Sequence, residues 1–393
     1  MKILICHNYY KYRGGESQTV LKEKLLLESK GHKVILFTKD NKNIDNYNLI
    51  RKIIFFLNVV FSFDTYRTIK EIIRKEKPDI VHIHNVFPLI SPSVYYALKN
   101  LKVPVIQTVH NYRLLCPNGL FLDKDGKLCE RCKNGDFFNA VIRKCYRNSY
   151  LQSFGMALTL YIYRRLNAFI NKTDFFITPS NFLKQKLVEG RIPAEKIVVK
   201  PHFVECDKIK PAYEFDNYAV YMGRLSPEKG LFNLLEAWKK ISGVTLKVIG
   251  DGIIRNELEE FVVREKIPNI EFLGFIDGTK RIEILEKAMF SVLPSQCFEN
   301  MPYAALESFA CGVPIIASRI GGLGELVTDG VTGFLFEVGN TDDLIRKVSK
   351  LINNEQLLLE MRYNTRRHAE ERFSEDIAYK GIMDVYNKTM CFS

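Results

Sequence analysis

The sequence predicts an α/β protein built of two doubly wound domains, each a parallel sheet covered by helices. Three observations carry that prediction. Short apolar runs alternate with segments of helical period; the rhythm lapses near residue 206 and then restarts; and the chain is long enough for two hydrophobic cores. At 393 residues it well exceeds the roughly 150 that one domain takes. Hydrophobic residues make up 47% and charged residues 26%, which excludes a mainly disordered, collagen-like or membrane-spanning chain.

In the first block the strand candidates are Lys2 to Cys6, Lys33 to Phe37, Ile80 to His84, Val105 to Val109, Phe175 to Thr178 and Ile197 to Lys200. Helical periodicity between them falls on Thr19 to Ser29, Ile69 to Lys75, Pro92 to Leu98 and Asn181 to Val188. The lapse covers Phe203 to Pro211, where a proline intervenes and the charge balance changes sign. Strand candidates then resume at Ala219 to Met222, Thr245 to Ile249, Ile270 to Phe272, Phe290 to Leu293, Pro314 to Ala317 and Thr332 to Leu335. This places an N-terminal domain over 1–205 and a C-terminal domain over 206–373. In such sheets ligands bind outside the carboxyl ends of the strands, so the loops after strands are where chemistry is expected.

The most specific loop is Pro294-Ser295-Gln296-Cys297-Phe298-Glu299-Asn300-Met301-Pro302, running on to Glu307. Pro302 suits a first helical turn, Gly312 a left-handed terminator and Pro314 a stop, which predicts a helix from about Met301 to Cys311. Glu299 then precedes the helix and Glu307 lies within it. Eight residues of helix correspond to about 12 Å, wider than the ~5 to 9.5 Å of paired glycosidase carboxylates. The two carboxylates suit instead hydroxyls on different parts of one long polyhydroxylated ligand such as a sugar nucleotide, with free helix N–H groups beside them.

The strand ending at Met222 runs into Gly223-Arg224-Leu225-Ser226-Pro227-Glu228-Lys229-Gly230. Arg224 offers a planar fork and Lys229 a point charge, a pair suited to a diphosphate leaving group. Two cations in a loop are also common surface decoration. Near the N-terminus, Gly14-Gly15 follows the first strand and lets backbone approach a ligand, or merely turns the chain. His110 follows the strand Val105 to Val109, at the end where active-site residues sit, although a lone histidine is often structural.

Together these motifs resemble family 4 of the retaining glycosyltransferases over the whole chain. The glutamate pair is that family's signature, accompanied in order by Gly223-Arg224 with Lys229-Gly230, by Val248-Ile249-Gly250-Asp251-Gly252, and by Gly321-Gly322-Leu323-Gly324-Glu325. The resemblance implies the GT-B fold, two Rossmann-like domains facing across a cleft, with the last helix, from about Ser374, returning to the first domain. It implies that Arg224 and Lys229 hold the donor diphosphate and that Glu307 binds the ribose hydroxyls. Glu299 would contact the transferred sugar, with the amides of Asn300 and Met301 near sugar and phosphate. Gly14 and Gly15 would approach the diphosphate, and His110 would lie beside the sugar. Such enzymes look to work without a catalytic metal, the cations standing in for it. Asn300-Met301-Pro302 departs from the Gly-Phe-Gly of many relatives, which leaves the donor sugar open, and Ser308 replaces a usual alanine.

Cys116, Cys129, Cys132 and Cys145 form a C-x12-C-x2-C-x12-C pattern within a Cys-rich insert at about 112–148. Four such thiols suit a structural zinc, free thiols or disulfides. Asp123-Lys124-Asp125-Gly126-Lys127 between them reads as a hairpin turn, and the insert as a candidate acceptor-binding element.

Residues 1–205 carry 34 Lys+Arg against 17 Asp+Glu, and the remaining 188 carry 23 against 28. A basic half implies an anionic partner or simply a solvated surface. The apolar run Ile53 to Phe63, flanked by Arg51, Lys52, Arg67, Lys70, Arg74, Lys75 and Lys77, is too short to span a bilayer and reads as an interfacial element or a buried core helix. The N-terminus lacks a signal-peptide core. The expectation is a cytoplasmic enzyme, peripheral at the inner face of the membrane, that moves a sugar from a nucleotide donor to a glycan or lipid-linked acceptor in cell-surface polysaccharide synthesis. Two other readings stand beside it: a sugar-nucleotide epimerase or phosphorylase of the same fold, and a zinc-containing nucleic-acid-binding protein, which leaves Arg224, Glu299 and Glu307 unexplained. No nucleic-acid partner is expected.

Overall fold

The computed structural model describes residues 1–11, 14–46, 49–99 and 101–392. It divides into two compact units, Met1–Lys200 with Tyr379–Ser393, and Pro201–Ala378. Both are parallel α/β units, each with a six-stranded sheet.

The first sheet comprises β1 (Lys2–Tyr9), β2 (Lys33–Asp40), β3 (Ile80–Ile83), β4 (Val105–Thr108), β5 (Phe175–Thr178) and β6 (Ile197–Val199), in the order β2-β1-β3-β4-β5-β6. Ile3, Leu4, Ile5 and Cys6 are all buried, the continuous apolar run of a strand covered on both faces. Ile3 lies opposite Val34 on one side and Ile80 on the other. β1 continues past the predicted Cys6 through the polar His7, Asn8 and Tyr9, still paired with β2. That extension is possible because Asn8 is satisfied where it is buried: its Oδ1 accepts from the Leu89 and Ile90 amides at 2.8 and 3.2 Å, and its Nδ2 donates to Asn41 at 2.8 Å. The first helix begins at Gly15 rather than Thr19, and the predicted Ile69 helix begins at Phe63, where the Ser62 hydroxyl accepts from the Thr65 amide at 3.2 Å.

The second sheet comprises β7 (Tyr218–Met222), β8 (Thr245–Ile249), β9 (Ile270–Gly274), β10 (Phe290–Leu293), β11 (Ile315–Ser318) and β12 (Gly333–Phe336), in the order β12-β11-β10-β7-β8-β9. Its core gathers Trp238, Leu234, Leu246, Phe290 and Val348. Arg362, fully buried, donates to the carbonyls of Ala212, Glu286 and Ala288 and so pins helix Glu355–Phe373 to two loops.

The units change at 200/201 and 378/379, where the sequence reading placed 205/206 and 374. Packing rather than charge sets these points. Val204 and Cys206 join Leu306 and Phe309 in one cluster, and the Val204 amide donates to the Phe373 carbonyl at 2.9 Å. Ile382, Val385 and Tyr386 of helix Glu375–Phe392 pack with Ile3, Ile5, Ile80 and Ile106 of the first sheet. Among the described residues no helix is long and apolar enough to cross a membrane.

Candidate active site

In each sheet the strand order reverses once, between β1 and β3 and between β7 and β10. The loops leaving the carboxyl ends of strands at such a reversal flank a natural ligand crevice. Loop 223–230 leaves β7 and loop 294–302 leaves β10, so the two sequence-predicted loops of the second unit meet there.

The Lys229 ammonium donates to Glu299 Oε1, which also accepts from the Ser295 hydroxyl at 2.8 Å. Burial pushes the Glu299 carboxyl up, but Lys229, Ser295 and Arg224 together outweigh it and hold the group below its ordinary range. Burial likewise lowers the Lys229 pKa while Glu299 raises it, and the carboxylate prevails. Both groups therefore stay charged at neutral pH. Arg224 is 60% exposed and touches Glu228 at 3.2 Å, leaving its guanidinium on the loop surface.

Glycines bring the backbones of this region into contact. Gly230 has φ +72°, and a Cβ there would stand 2.0 Å from the Pro294 carbonyl oxygen. A Cβ on Gly322 would stand 1.8 Å from the Asn300 carbonyl oxygen, and the Gly322 amide donates to Glu299 O at 2.6 Å. The Gly321-Gly322 motif thus buttresses the Glu299–Asn300 backbone, which any side chain there would displace.

The helix after this loop spans Tyr303–Ala310 with Pro302 as its cap, shorter at both ends than the predicted Met301 to Cys311. Met301 lies outside it, its sulfur accepting from the His202 amide at 3.2 Å. Glu307, within it, is buried and takes a hydrogen bond from Arg281 at 2.7 Å. Ser308 is accommodated in the core by bonds to the Ser291 hydroxyl at 3.0 Å and the Ala304 carbonyl at 2.7 Å.

In the first unit Gly14 is extended, with φ −135° and ψ −168°, and caps helix Gly15–Ser29. Both glycines are exposed, and a Cβ on Gly14 would meet nothing within 4 Å, so the helix N-terminus is open to an anion. Tyr12 and Arg13, which precede this turn in sequence, lie outside the described residues. His110 stands two residues past β4, its Nε2 2.9 Å from His84 Nδ1. The next residue, Asn111, donates to Glu16 at 3.2 Å, so the Gly14–Glu16 turn and the His110 strand end adjoin.

Three neighbours escaped the sequence reading: Arg281, which pairs with Glu307; His84, which ended a predicted strand; and Glu16, next to the glycine pair. Burial, only partly offset by Arg113 and Asn111, lifts the Glu16 carboxyl to about 8. The signals were present as His82-x-His84 at the end of a strand and as Gly-Gly-Glu, but each depends on a partner distant in sequence.

All nine cysteines are free thiols. Asp123 to Lys127 does form a turn, closed by the Asp123 amide to the Lys127 carbonyl at 2.8 Å and by the Asp123 carboxylate. Cys116, Cys129, Cys132 and Cys145 are near enough to perturb one another, burial and mutual repulsion pushing Cys132 to about 12 and Cys145 to about 11. Among the described residues, the one group of three histidine, cysteine or carboxylate ligand atoms within 4.8 Å of one another is Glu23, His82 and His84. Cys116 donates to Asn118 at 3.0 Å, and Cys132 faces the Phe137 carbonyl.

Comparison with known proteins agrees with this geometry. Residues 13–208 match the model described as Glycosyltransferase Family 4, and residues 205–368 match that of Glycosyl transferases group 1. The chain belongs to the family 4 glycosyltransferases and has their GT-B fold. It is 29% identical over 397 residues to an uncharacterized glycosyltransferase of Methanocaldococcus jannaschii, covering 99% of this chain and 98% of that one. It is 26% identical over 250 residues to the capsular polysaccharide biosynthesis glycosyltransferase CapM of Staphylococcus aureus, covering 58% and 64%. Among solved structures, Anabaena HepE in complex with UDP superposes with a TM-score of 0.70 at 17% identity, covering 99% of this chain and 100% of that one.

Proposed function

We propose that this glycosyltransferase moves a sugar, with retention of configuration, from a nucleoside-diphosphate donor to a glycan or lipid-linked acceptor of a cell-surface polysaccharide. The observation that carries the reading is the charged Lys229–Glu299 pair beside Arg224 at the strand reversal of the second sheet. The names of relatives support the rest: CapM acts in capsule synthesis, and HepE is seen with UDP and with UDP-glucose.

In this reading Arg224 and Lys229 bind the diphosphate, and their fixed positive charge favours the transition state in which the leaving phosphate gains charge. Glu299 accepts a hydroxyl of the transferred sugar, with the Asn300 and Met301 backbone beside it. Glu307, oriented by Arg281, accepts the ribose hydroxyls. Gly14 and Gly15 present helix amides to the diphosphate, and His110 stands beside the sugar. The donor C1–O bond to phosphate breaks, C1 bonds to the acceptor oxygen on the same face, and the acceptor proton passes to the departing phosphate oxygen. No residue in this scheme needs a metal, because the two cations supply the charge.

A thermal-shift titration of UDP, GDP and ADP against wild type and Glu307→Ala tests the donor site. One nucleotide is expected to stabilise wild type by about 2.7 kcal/mol at roughly 100 times its dissociation constant, and the variant far less. Equal stabilisation of both proteins would remove Glu307 from the donor site.

A second observation favours a membrane location for the acceptor. Helix Leu49–Val60 buries Val59 and stacks Phe56 on Phe154 of helix Tyr150–Arg165, leaving Ile54, Leu57, Phe63, Tyr150 and Leu151 exposed. The segment is therefore both a packed helix and an apolar surface, and it lies on the basic half of the chain. The side chains of Arg51, Lys52 and Ile53 lie outside the described residues. Such a surface binds anionic headgroups through charge and buries its apolar face among them. The protein is expected to sediment with phosphatidylglycerol vesicles at low salt, and Leu57→Asp/Phe63→Asp to stay in solution. Indifference of wild type to the vesicles would end this reading.

A further inference from the structure

Four of the chain's seven histidines gather in the first unit, at the ends of β1, β3 and β4. Ring centroids are 6.3 Å apart for His7 and His84, 4.2 Å for His82 and His84, and 5.2 Å for His84 and His110. Glu23 and Lys200 complete the cluster. Glu23, His82 and His84 have ligand atoms within 4.8 Å of one another, but their chemistry does not suit a metal. Both His82 nitrogens are engaged, Nδ1 with the Tyr386 hydroxyl at 3.0 Å and Nε2 with the Thr108 hydroxyl at 2.7 Å. The cation beside Glu23 is already present, as the Lys200 ammonium 2.7 Å from its Oε1.

We propose that His84 is a positioning residue for His110: held by Glu23, it fixes His110 in the tautomer that carries its proton on Nε2 and offers Nδ1 as an acceptor. The functional part of this inference rests on the reading that His110 stands beside the transferred sugar. The ring planes of His84 and His110 lie within 17°, and His84 Nδ1 is 2.9 Å from His110 Nε2. A face-to-face stack at 5.2 Å between centroids could not bring two nitrogens that close. The rings instead meet edge to edge, in line, as an N–H···N hydrogen bond requires.

The position of the proton in that bond follows from what lies behind His84. Glu23 Oε2 is 3.4 Å from His84 Nε2, an ion-pair distance without hydrogen-bond alignment, and the Lys200 ammonium is 2.7 Å from Glu23 Oε1. A carboxylate there favours the proton on His84 Nε2, and a neutral imidazole has only one to place. His84 is kept neutral first by burial and then by His82, His110, His7 and Lys200, which together depress its pKa well below the usual value. Its Nδ1 is therefore the acceptor, and His110 Nε2–H the donor. In that tautomer the buried Nδ1 is the acceptor atom of the His110 ring. Tyr386 joins the same cluster through His82, so the returning C-terminal helix also braces it.

Protein carrying 15N-labelled histidine tests this by long-range 1H–15N NMR at neutral pH, with His110 assigned from a His110→Gln variant. Wild type is expected to show His110 protonated on Nε2, and His84→Ala and Glu23→Gln to lose that fixed state. In turnover of the nucleotide sugar whose nucleotide stabilises the protein, His84→Ala is expected to lose about 10- to 100-fold with nucleotide affinity kept. His84→Asn, whose amide oxygen can accept in place of Nδ1, is expected to recover most of that loss. A His110 protonated on Nδ1 in wild type overturns the proposal. So does a folded His84→Ala that turns over at the wild-type rate while His110→Ala does not. If His110→Ala is itself fully active, the placement of His110 beside the sugar fails instead, and the NMR result alone decides the role of His84.

Discussion

Lys229→Met is expected to abolish sugar transfer and destabilise the second unit, and adding Glu299→Gln is expected to restore the stability without the activity. The pair is mostly enclosed, with 19% and 15% of the two side chains exposed. Removing the ammonium leaves the carboxylate one hydrogen bond, from Ser295, and the weaker field of Arg224, and a charge so poorly paired in a largely dry site costs about 2–3 kcal/mol once residual solvation is allowed for. Burial then raises the Glu299 pKa against Arg224 alone, so the loss is greatest above the ordinary carboxylate range and fades in acid. A neutral glutamine has no charge to strand, so the double variant is expected to melt close to wild type. Transfer does not return, because the diphosphate has lost a fixed positive charge worth about 10²- to 10³-fold in rate. Melting curves and donor turnover on the three proteins check this. A double variant as active as wild type would mean that the pair is purely structural.

Arg224→Ala is expected to show the opposite pattern, with stability unchanged and activity nearly gone. The side chain is 60% exposed, and Glu228, which it touches, also accepts from the Ser226 hydroxyl at 2.7 Å. Its loss leaves nothing buried unpaired, so the change in stability should stay within about 0.5 kcal/mol. Turnover should fall by about 10²- to 10³-fold if the guanidinium grips the donor diphosphate. Arg224→Lys should recover only part, because an ammonium restores the charge and not the planar fork. A fully active Arg224→Ala would place the diphosphate elsewhere.

Every strand candidate of the sequence became a strand, and those buried on both faces, such as β3, β4, β5 and β10, are written as short continuous runs that pack on either side. The errors lie where polar residues carry the ladder onward. His7-Asn8-Tyr9 looks like a loop in sequence, and only the Asn8 bonds to Leu89, Ile90 and Asn41 show why it is not. Lys229 and Glu299 were legible because each sits in a compact motif after a strand. Arg281 was not, since nothing local distinguishes an arginine that will meet Glu307 from one on the surface. The Glu23–His84–His110 line was similarly hidden, because Glu23 and Lys200, 177 residues apart, meet only in the folded sheet.

The most direct measurement is NMR of the anomeric proton during turnover. The protein is incubated with the sugar conjugate of whichever nucleotide stabilises it, and the first-formed sugar product is read before mutarotation. The account predicts release of nucleoside diphosphate and a first product with the donor's own anomeric configuration, both lost in Lys229→Met/Glu299→Gln. An inverted first product, or the same release from the double variant, would contradict it.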